Sequence, residues 1–152
     1  MLEQIDIANV LFLDIETVSG HNSYEDLSED FKPLWAHKAK SALRNYTDEL
    51  DEETVAAAYQ DKAAIYAEFG KIVCISVGVV YRNKDKRLSI RLKSFASKDE
   101  KELLTGFAQL LNQYYNDPFK HFLCGHNIKE FDVPYICRRM VVNSMSFPKV
   151  LD

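Results

Sequence analysis

Leu11-Phe12-Leu13-Asp14-Ile15-Glu16-Thr17 is the stretch whose reading decides the fold. Residues 9–16 read as a central strand, apolar on both faces until the acids appear. Side chains at i and i+2 of a strand share a face, so Asp14 and Glu16 project side by side from its end. Two like charges held together repel unless something cationic sits between them. Carboxylate oxygens are the donors that Mg²⁺ and Mn²⁺ prefer. A strand that simply meets solvent also ends in polar residues, so this pair gains its meaning from the rest of the chain.

The second informative stretch is Gly125-His126-Asn127-Ile128-Lys129-Glu130-Phe131-Asp132-Val133-Pro134-Tyr135, a strand exit that carries a third carboxylate into a helix. Pro134 suits the first turn of a helix, where a missing N–H costs little. Asp132 is then either an N-cap or a ligand, and Asn127 with Glu130 in the capping-box position offers an alternative start. His126 reads as a local hydrogen-bonding residue rather than a base, and His21 is no better a ligand.

Between these stretches lies a long polar insertion, from about Val18 to Phe69. It holds a short helix around Ser28–Ala39 with Phe31, Leu34 and Trp35, where Trp35 is expected to pack rather than to form a lid. An alanine-rich helix from Asp48 to Ala67 follows, with Val55, Tyr59, Ala63 and Tyr66 near one face. Lys71–Tyr81 is rich in Val and Ile and reads as a strand. Arg82–Arg87 reads as a hairpin turn, whose cations are a solvated turn before they are phosphate contacts. Leu88–Phe95 alternates, which predicts Leu88, Ile90 and Leu92 facing in. Ser97 with Glu100 fits a capping box. The helix beyond it presents Leu103, Leu104, Phe107, Leu110, Leu111 and Tyr114 to a core, and Asn116-Asp117-Pro118 stops it. Lys120–Cys124 is a fourth strand, and a helix over Asp132–Val142 carries Arg138 and Arg139. The expected architecture is one α/β domain over residues 1–152, a mixed sheet covered by helices.

The bulk properties are those of an ordinary globular domain. Of the 152 residues 47% are hydrophobic and 28% charged. A net charge of −4 carries no global basic signature of a nucleic-acid binder. The apolar run Val10–Leu13 is far too short for a membrane span or a signal segment. Cys74, Cys124 and Cys137 are odd in number and lack CxxC spacing, so they read as reduced core residues of a cytoplasmic protein.

Phe12–Thr17 together with Asn127, Ile128, Phe131, Asp132, Pro134 and Tyr135 resembles the DEDD superfamily of 3′–5′ exonucleases. The nearest resemblance is to the proofreading domain of family-B DNA polymerases and to stand-alone bacterial proteins similar to it, which Ile65–Val73 also resembles. The resemblance implies a ribonuclease-H-like fold with a helical insertion after the first strand. It implies that Asp14, Glu16 and Asp132 are catalytic and hold two Mg²⁺ or Mn²⁺ ions. It gives Thr17, Asn127 and Phe131 to substrate binding, the substrate being a single-stranded 3′ end with DNA favoured over RNA, and nucleoside 5′-monophosphates being released. The superfamily also needs a Tyr or His followed by a fourth carboxylate. Downstream of Asp132 the sole acid is Asp152, without such a partner, so the chain resembles the N-terminal portion of that domain and is expected to be weak or inactive by itself. The alternatives are a non-catalytic nucleic-acid-binding domain and a phosphodiesterase acting on oligonucleotide or RNA 3′ ends.

Overall fold

The strand that carries the acids, β1 (Val10–Ser19), alternates strictly from Leu11 onward: Leu11, Leu13 and Ile15 are buried, and Phe12, Asp14 and Glu16 are exposed. The computed structural model describes residues 5–46 and 49–152. Asp48, the expected start of the insertion helix, lies outside them. Among the described residues, besides three short 3-10 turns, the other elements are α1 (Phe31–Ala42), α2 (Glu52–Lys62), β2 (Gly70–Arg82), β3 (Leu88–Ala96), α3 (Glu100–Tyr114), β4 (Phe122–Cys124) and α4 (Asp132–Val142). The four strands form one sheet in the order β3-β2-β1-β4. β2 and β3 pair antiparallel and β1 and β4 pair parallel, which makes the sheet mixed. The chain divides into two units, Met1–Glu16 with Ile72–Asp152, and Thr17–Lys71.

In the first unit one sheet face meets α3. Phe95 of β3 stacks edge-on against Phe107, with ring centroids 6.0 Å apart, and Ile75, its cross-strand partner, is buried. Leu104, Phe107 and Leu111 of α3 and Ile136 and Met140 of α4 are fully buried. Tyr115 takes the core position expected of Tyr114, which is exposed, because the helix ends at Tyr114 and the next residue leaves helical geometry.

The opposite sheet face is open. Leu88, Ile90 and Leu92 are 60%, 69% and 77% exposed, against the expectation that they face in. Their register explains why. Leu92 pairs with Gly78 and shares its face, the face of Phe12, whereas Phe95 occupies the face that α3 covers. Period-two alternation identifies two faces but does not say which one a helix will cover. Cys124 is exposed and Cys74 and Cys137 are half-buried, so none of the three free thiols is a core residue of the expected kind.

The second unit has its own core. Trp35 of α1 is fully buried, donates Nε1–H to the Val55 carbonyl at 3.0 Å, and meets Tyr59 and Phe69 edge-on with centroids 5.1 and 5.0 Å away. Helix α2 starts on Asp51, whose side chain accepts from the Thr54 N–H. It presents Val55, Ala58 and Tyr59 inward, the face its spacing predicts. The indole therefore organises the insertion's own core.

Helix α3 does not use the expected capping box. Asp99 is its N-cap, accepting from the Lys101 and Glu102 N–H groups. That leaves Glu100 for another task. Only 9% exposed, its carboxylate accepts from Arg139 Nε at 2.9 Å, Arg139 Nη2 at 2.6 Å, Asn143 Nδ2 at 3.0 Å and the Ile72 N–H at 2.7 Å. Burial pushes the Glu100 carboxyl up, but these donors outweigh it and hold it below its ordinary value. Glu100→Ala should destabilise the fold by about 3–5 kcal/mol at neutral pH, since one partner of a buried, hydrogen-bonded ion pair is removed. A carboxyl with a lowered folded pKa contributes its full stability above the unfolded value, about 4.3, and loses it as pH falls through the folded value. Urea titrations of Glu100→Gln across pH 3 to 7 should therefore show a shallower acid loss of stability than the parent chain; parallel curves would refute the assignment.

Candidate active site

The turn after β4 is set directly against β1. A Cβ at Gly125 would lie 2.5 Å from the Leu13 carbonyl oxygen, so only glycine allows this approach. Asn127 follows with φ of 53°, a left-handed conformation that asparagine tolerates better than most residues. Its backbone carbonyl accepts from the Glu130 and Phe131 N–H groups at 3.1 and 3.0 Å, closing the turn that launches α4. Phe131 is the residue preceding the helix, and its ring lies 5.5 Å from that of Tyr135.

Asp132 is therefore the first helical residue and not the N-cap. Its side chain turns to β1 instead. Oδ1 accepts from the Ile15 N–H at 3.1 Å, across 117 residues of sequence. Ile15 is the residue between Asp14 and Glu16, so this bond brings the third acid to the strand segment that carries the other two. Asp132 is 3% exposed, whereas Asp14 and Glu16 are both exposed. Burial pushes the Asp132 carboxyl above its ordinary value. The N–H groups of its own backbone and of Ile15 pull it back, the Asp14 charge adds to the rise, and His126 opposes it.

Among the described residues no group of three or more His, Cys, Asp or Glu side chains is gathered so that it could hold a metal ion. The donors nonetheless suit a hard divalent cation in kind: carboxylate oxygens on one strand face, beside a buried carboxyl whose ionisation Asp14 opposes. A cation beside it would favour the charged form of Asp132. Thr17 is the residue of β1 after Glu16 and is half-buried. Asn127 is exposed and Phe131 half-buried. Gly125 carries no role that its motif predicts; its closeness to Leu13 is tertiary, and only its position two residues before Asn127 hints at it.

A shallow cleft of about 290 Å³ opens beside Asp14 on the uncovered sheet face, lined by Phe12, Ser76, Gly78, Leu92, Cys124 and Gly125 among others. Apolar side chains and a glycine floor lead up to the carboxylate, a surface on which a flat ring could lie. No helix among the described residues is long and apolar enough to cross a membrane.

The family model of the DNA polymerase family B exonuclease domain matches residues 53–150, well over half of the chain. The matched segment contains Asn127, Phe131 and Asp132 and starts beyond Asp14, Glu16 and Thr17. No curated protein and no solved structure matches.

Two substitutions separate what Asp132 does for the fold from what its charge does. Asp132→Ala leaves the buried Ile15 N–H without its acceptor and should cost about 1–3 kcal/mol in urea unfolding. Asp132→Asn keeps an acceptor oxygen and removes the charge that burial and Asp14 disfavour, so it should be as stable as the parent or slightly more so. Equal loss in both would show that the hydrogen bond does not matter. Gly125→Ala, which drives a methyl into the Leu13 carbonyl, should cost at least about 1–3 kcal/mol in the same assay.

Proposed function

The chain belongs to the DNA polymerase family B exonuclease domain family, and on that premise we propose that it is a 3′–5′ exonuclease acting on single-stranded DNA ends and releasing nucleoside 5′-monophosphates. The family implies the 3′–5′ exonuclease kind of activity and DNA as its ligand. The single-stranded substrate, the products and the residues are our reading. The observation that supports it best is the hydrogen bond from the Ile15 N–H to Asp132 Oδ1, which ties the two acidic motifs together. The stand-alone bacterial type is part of the proposal, on Ile65–Val73, and so is a cytoplasmic setting, on three free cysteines.

In this reading Asp14, Glu16 and Asp132 hold divalent cations, Mg²⁺ or Mn²⁺. When bound, such ions supply electrostatic stabilisation of the charge that builds on the phosphate and on the departing oxygen. The reaction is hydrolysis of the terminal phosphodiester: water adds to phosphorus, and the bond to the 3′ oxygen of the preceding nucleotide breaks. Asp14 and Glu16 provide negative charge on an accessible strand face. Asp132 is held in place by the β1 backbone rather than by solvent, which limits its freedom before substrate arrives. Thr17 presents backbone and hydroxyl to the terminal nucleotide, Asn127 contacts the strand, and Phe131 supports it.

Within these 152 residues the acids that follow Asp132 reduce to Asp152, so the reading includes slow turnover by this chain alone. A missing proton acceptor for the attacking water would account for roughly 10²–10⁴ in rate. An extended chain carrying a Tyr or His with a following Asp should be faster than residues 1–152 on one labelled oligonucleotide at equal concentration. Equal rates would remove the third motif from the mechanism.

With Mn²⁺ or Mg²⁺ the extended chain should shorten a 5′-labelled single strand stepwise. Asp14→Ala should slow it at least about a hundredfold, because a ligand acting in the transition state is lost. Shortening from the 5′ end, or an unaffected Asp14→Ala, would overturn the assignment. Equal turnover of an RNA strand would favour the 3′-end phosphodiesterase alternative.

A further inference from the structure

The charge of this chain is unevenly placed. The 13 residues Tyr81–Lys93 hold six of its 19 basic side chains and one of its 23 acidic ones. They are Arg82, Lys84, Lys86, Arg87, Arg91 and Lys93, against Asp85. The segment is strongly positive in a chain of net charge −4. All six cations are exposed.

The segment is also rigidly built. It is the far end of the β2–β3 hairpin, paired in register as far as Arg82 and Leu88. The turn between them is organised by Asn83, whose side chain accepts from the Asp85 and Arg87 N–H groups at 3.0 and 2.9 Å. Lys86 takes a positive φ of 62°, and its carbonyl accepts from Arg82 Nη1 at 3.2 Å. The backbone thus fixes where the lysines emerge. On the strands, Arg91 lies over the ring of Tyr81, 5.2 Å from its centroid, and Lys93 lies 4.5 Å from that of Phe95. Arg91 and Lys93 share one face, about 6.8 Å apart along the strand; it is the face of Phe95, opposite the one on which Phe12 and Leu92 lie.

From this placement we infer that the β2–β3 hairpin is a second binding site, distinct from the carboxylates, for the sugar–phosphate backbone of a single-stranded nucleic acid. Its partner is recognised chiefly by charge, since the turn presents cations whose positions the fold sets. The inference rests on the exonuclease reading for the identity of the polymer.

The distance gives the site a consequence. Phe12 lies against Gly78 in the cleft beside Asp14. The turn begins at Asn83, five residues farther along β2, or roughly 17 Å at the rise of an extended strand. A single-stranded 20-mer is long enough to reach both.

The test measures binding with catalysis switched off. A fluorescent thymidine 20-mer and trimer are titrated with the 152-residue chain in EDTA, from about 50 to 200 mM salt. Lys84→Gln, Lys86→Gln and Arg87→Gln combined should weaken binding of the 20-mer about tenfold at the lowest salt. The same variant should reduce the slope of log K against log salt by about 2, because each single-strand phosphate that a cation neutralises adds about 0.7 to that slope. Arg91→Gln with Lys93→Gln, on the other sheet face, should weaken it less. The trimer, which covers fewer of these cations at once, should show a smaller loss. A charge-matched control, Lys98→Gln, Lys101→Gln and Lys149→Gln, should leave the 20-mer unaffected. Thermal melts matching the parent verify folding; the turn's hydrogen bonds use Asn83, Arg82 and the backbone, which no variant alters. An unchanged slope, an equal loss in the control, or polyglutamate or anionic vesicles showing the same hairpin dependence would overturn the inference. A hairpin-dependent strand that the extended chain never shortens in Mn²⁺ would sink the exonuclease reading and leave this site standing. Shortening with hairpin-independent affinity would do the reverse.

Discussion

Helix α4 is held to the rest of its unit by one carboxylate at each end. At its start Asp132 accepts from the Ile15 N–H of β1. Toward its finish Arg139 and Asn143 donate to Glu100, which also accepts from the Ile72 N–H of β2. Both carboxylates are buried, and a buried carboxylate is costly unless its oxygens have donors. The pairing is therefore restrictive: α3, α4, β1 and β2 must each present the right group at the right place, or a charge is stranded. Removing either partner is far more damaging than never having had the pair. The burial of Leu104, Phe107, Leu111, Ile136 and Met140 supplies the bulk of the driving force. The two carboxylates select which arrangement of that apolar surface is allowed.

The two anchors differ electrostatically, and the difference follows from their neighbours. Glu100 meets a guanidinium in fork geometry, so donors overcome burial and its carboxyl sits low. Asp132 is buried and meets only backbone N–H groups, which offset the cost of burial in part, and the like charge of Asp14 adds to that cost, so its carboxyl sits high. One is a closed structural pair. The other carries an unrelieved opposition between acids beside an open cleft. The open sheet face belongs to the same picture. Phe12, Leu92, Ile90 and Leu88 lie exposed on the side of the sheet from which Asp14 and Glu16 project. Acidic side chains at one place and a cationic hairpin at another divide the surface by charge.

Local signals are legible wherever a residue's effect is confined to its own turn. The α4 boundaries are readable as Asp132–Val142 because Pro134 and the apolar spacing after it leave few alternatives. The inward face of α2 is readable from Val55 and Tyr59, and the hairpin from the polar run between two Val- and Ile-rich segments. What fails is whatever needs a partner distant in sequence. Ser97 and Glu100 have the spacing of a capping box, yet Asp99 caps the helix and Glu100 is drawn away by Arg139, 39 residues on. Leu88, Ile90 and Leu92 have the alternation of a buried face, yet the helix lies on the other one. Asp132 has the position of a cap, yet its acceptor oxygen serves a strand.

The sequence by itself determined the elements, the two acidic motifs and the family resemblance, because propensity, periodicity and motif spacing are properties of contiguous residues. The tertiary structure alone decided that the motifs meet through Ile15, that Gly125 must lack a side chain, that Glu100 is an anchor rather than a cap, and that one sheet face stays open. Each of these depends on which groups become neighbours once the chain is packed. A buried polar group takes the donor or acceptor that packing brings to it, whatever its place in the sequence.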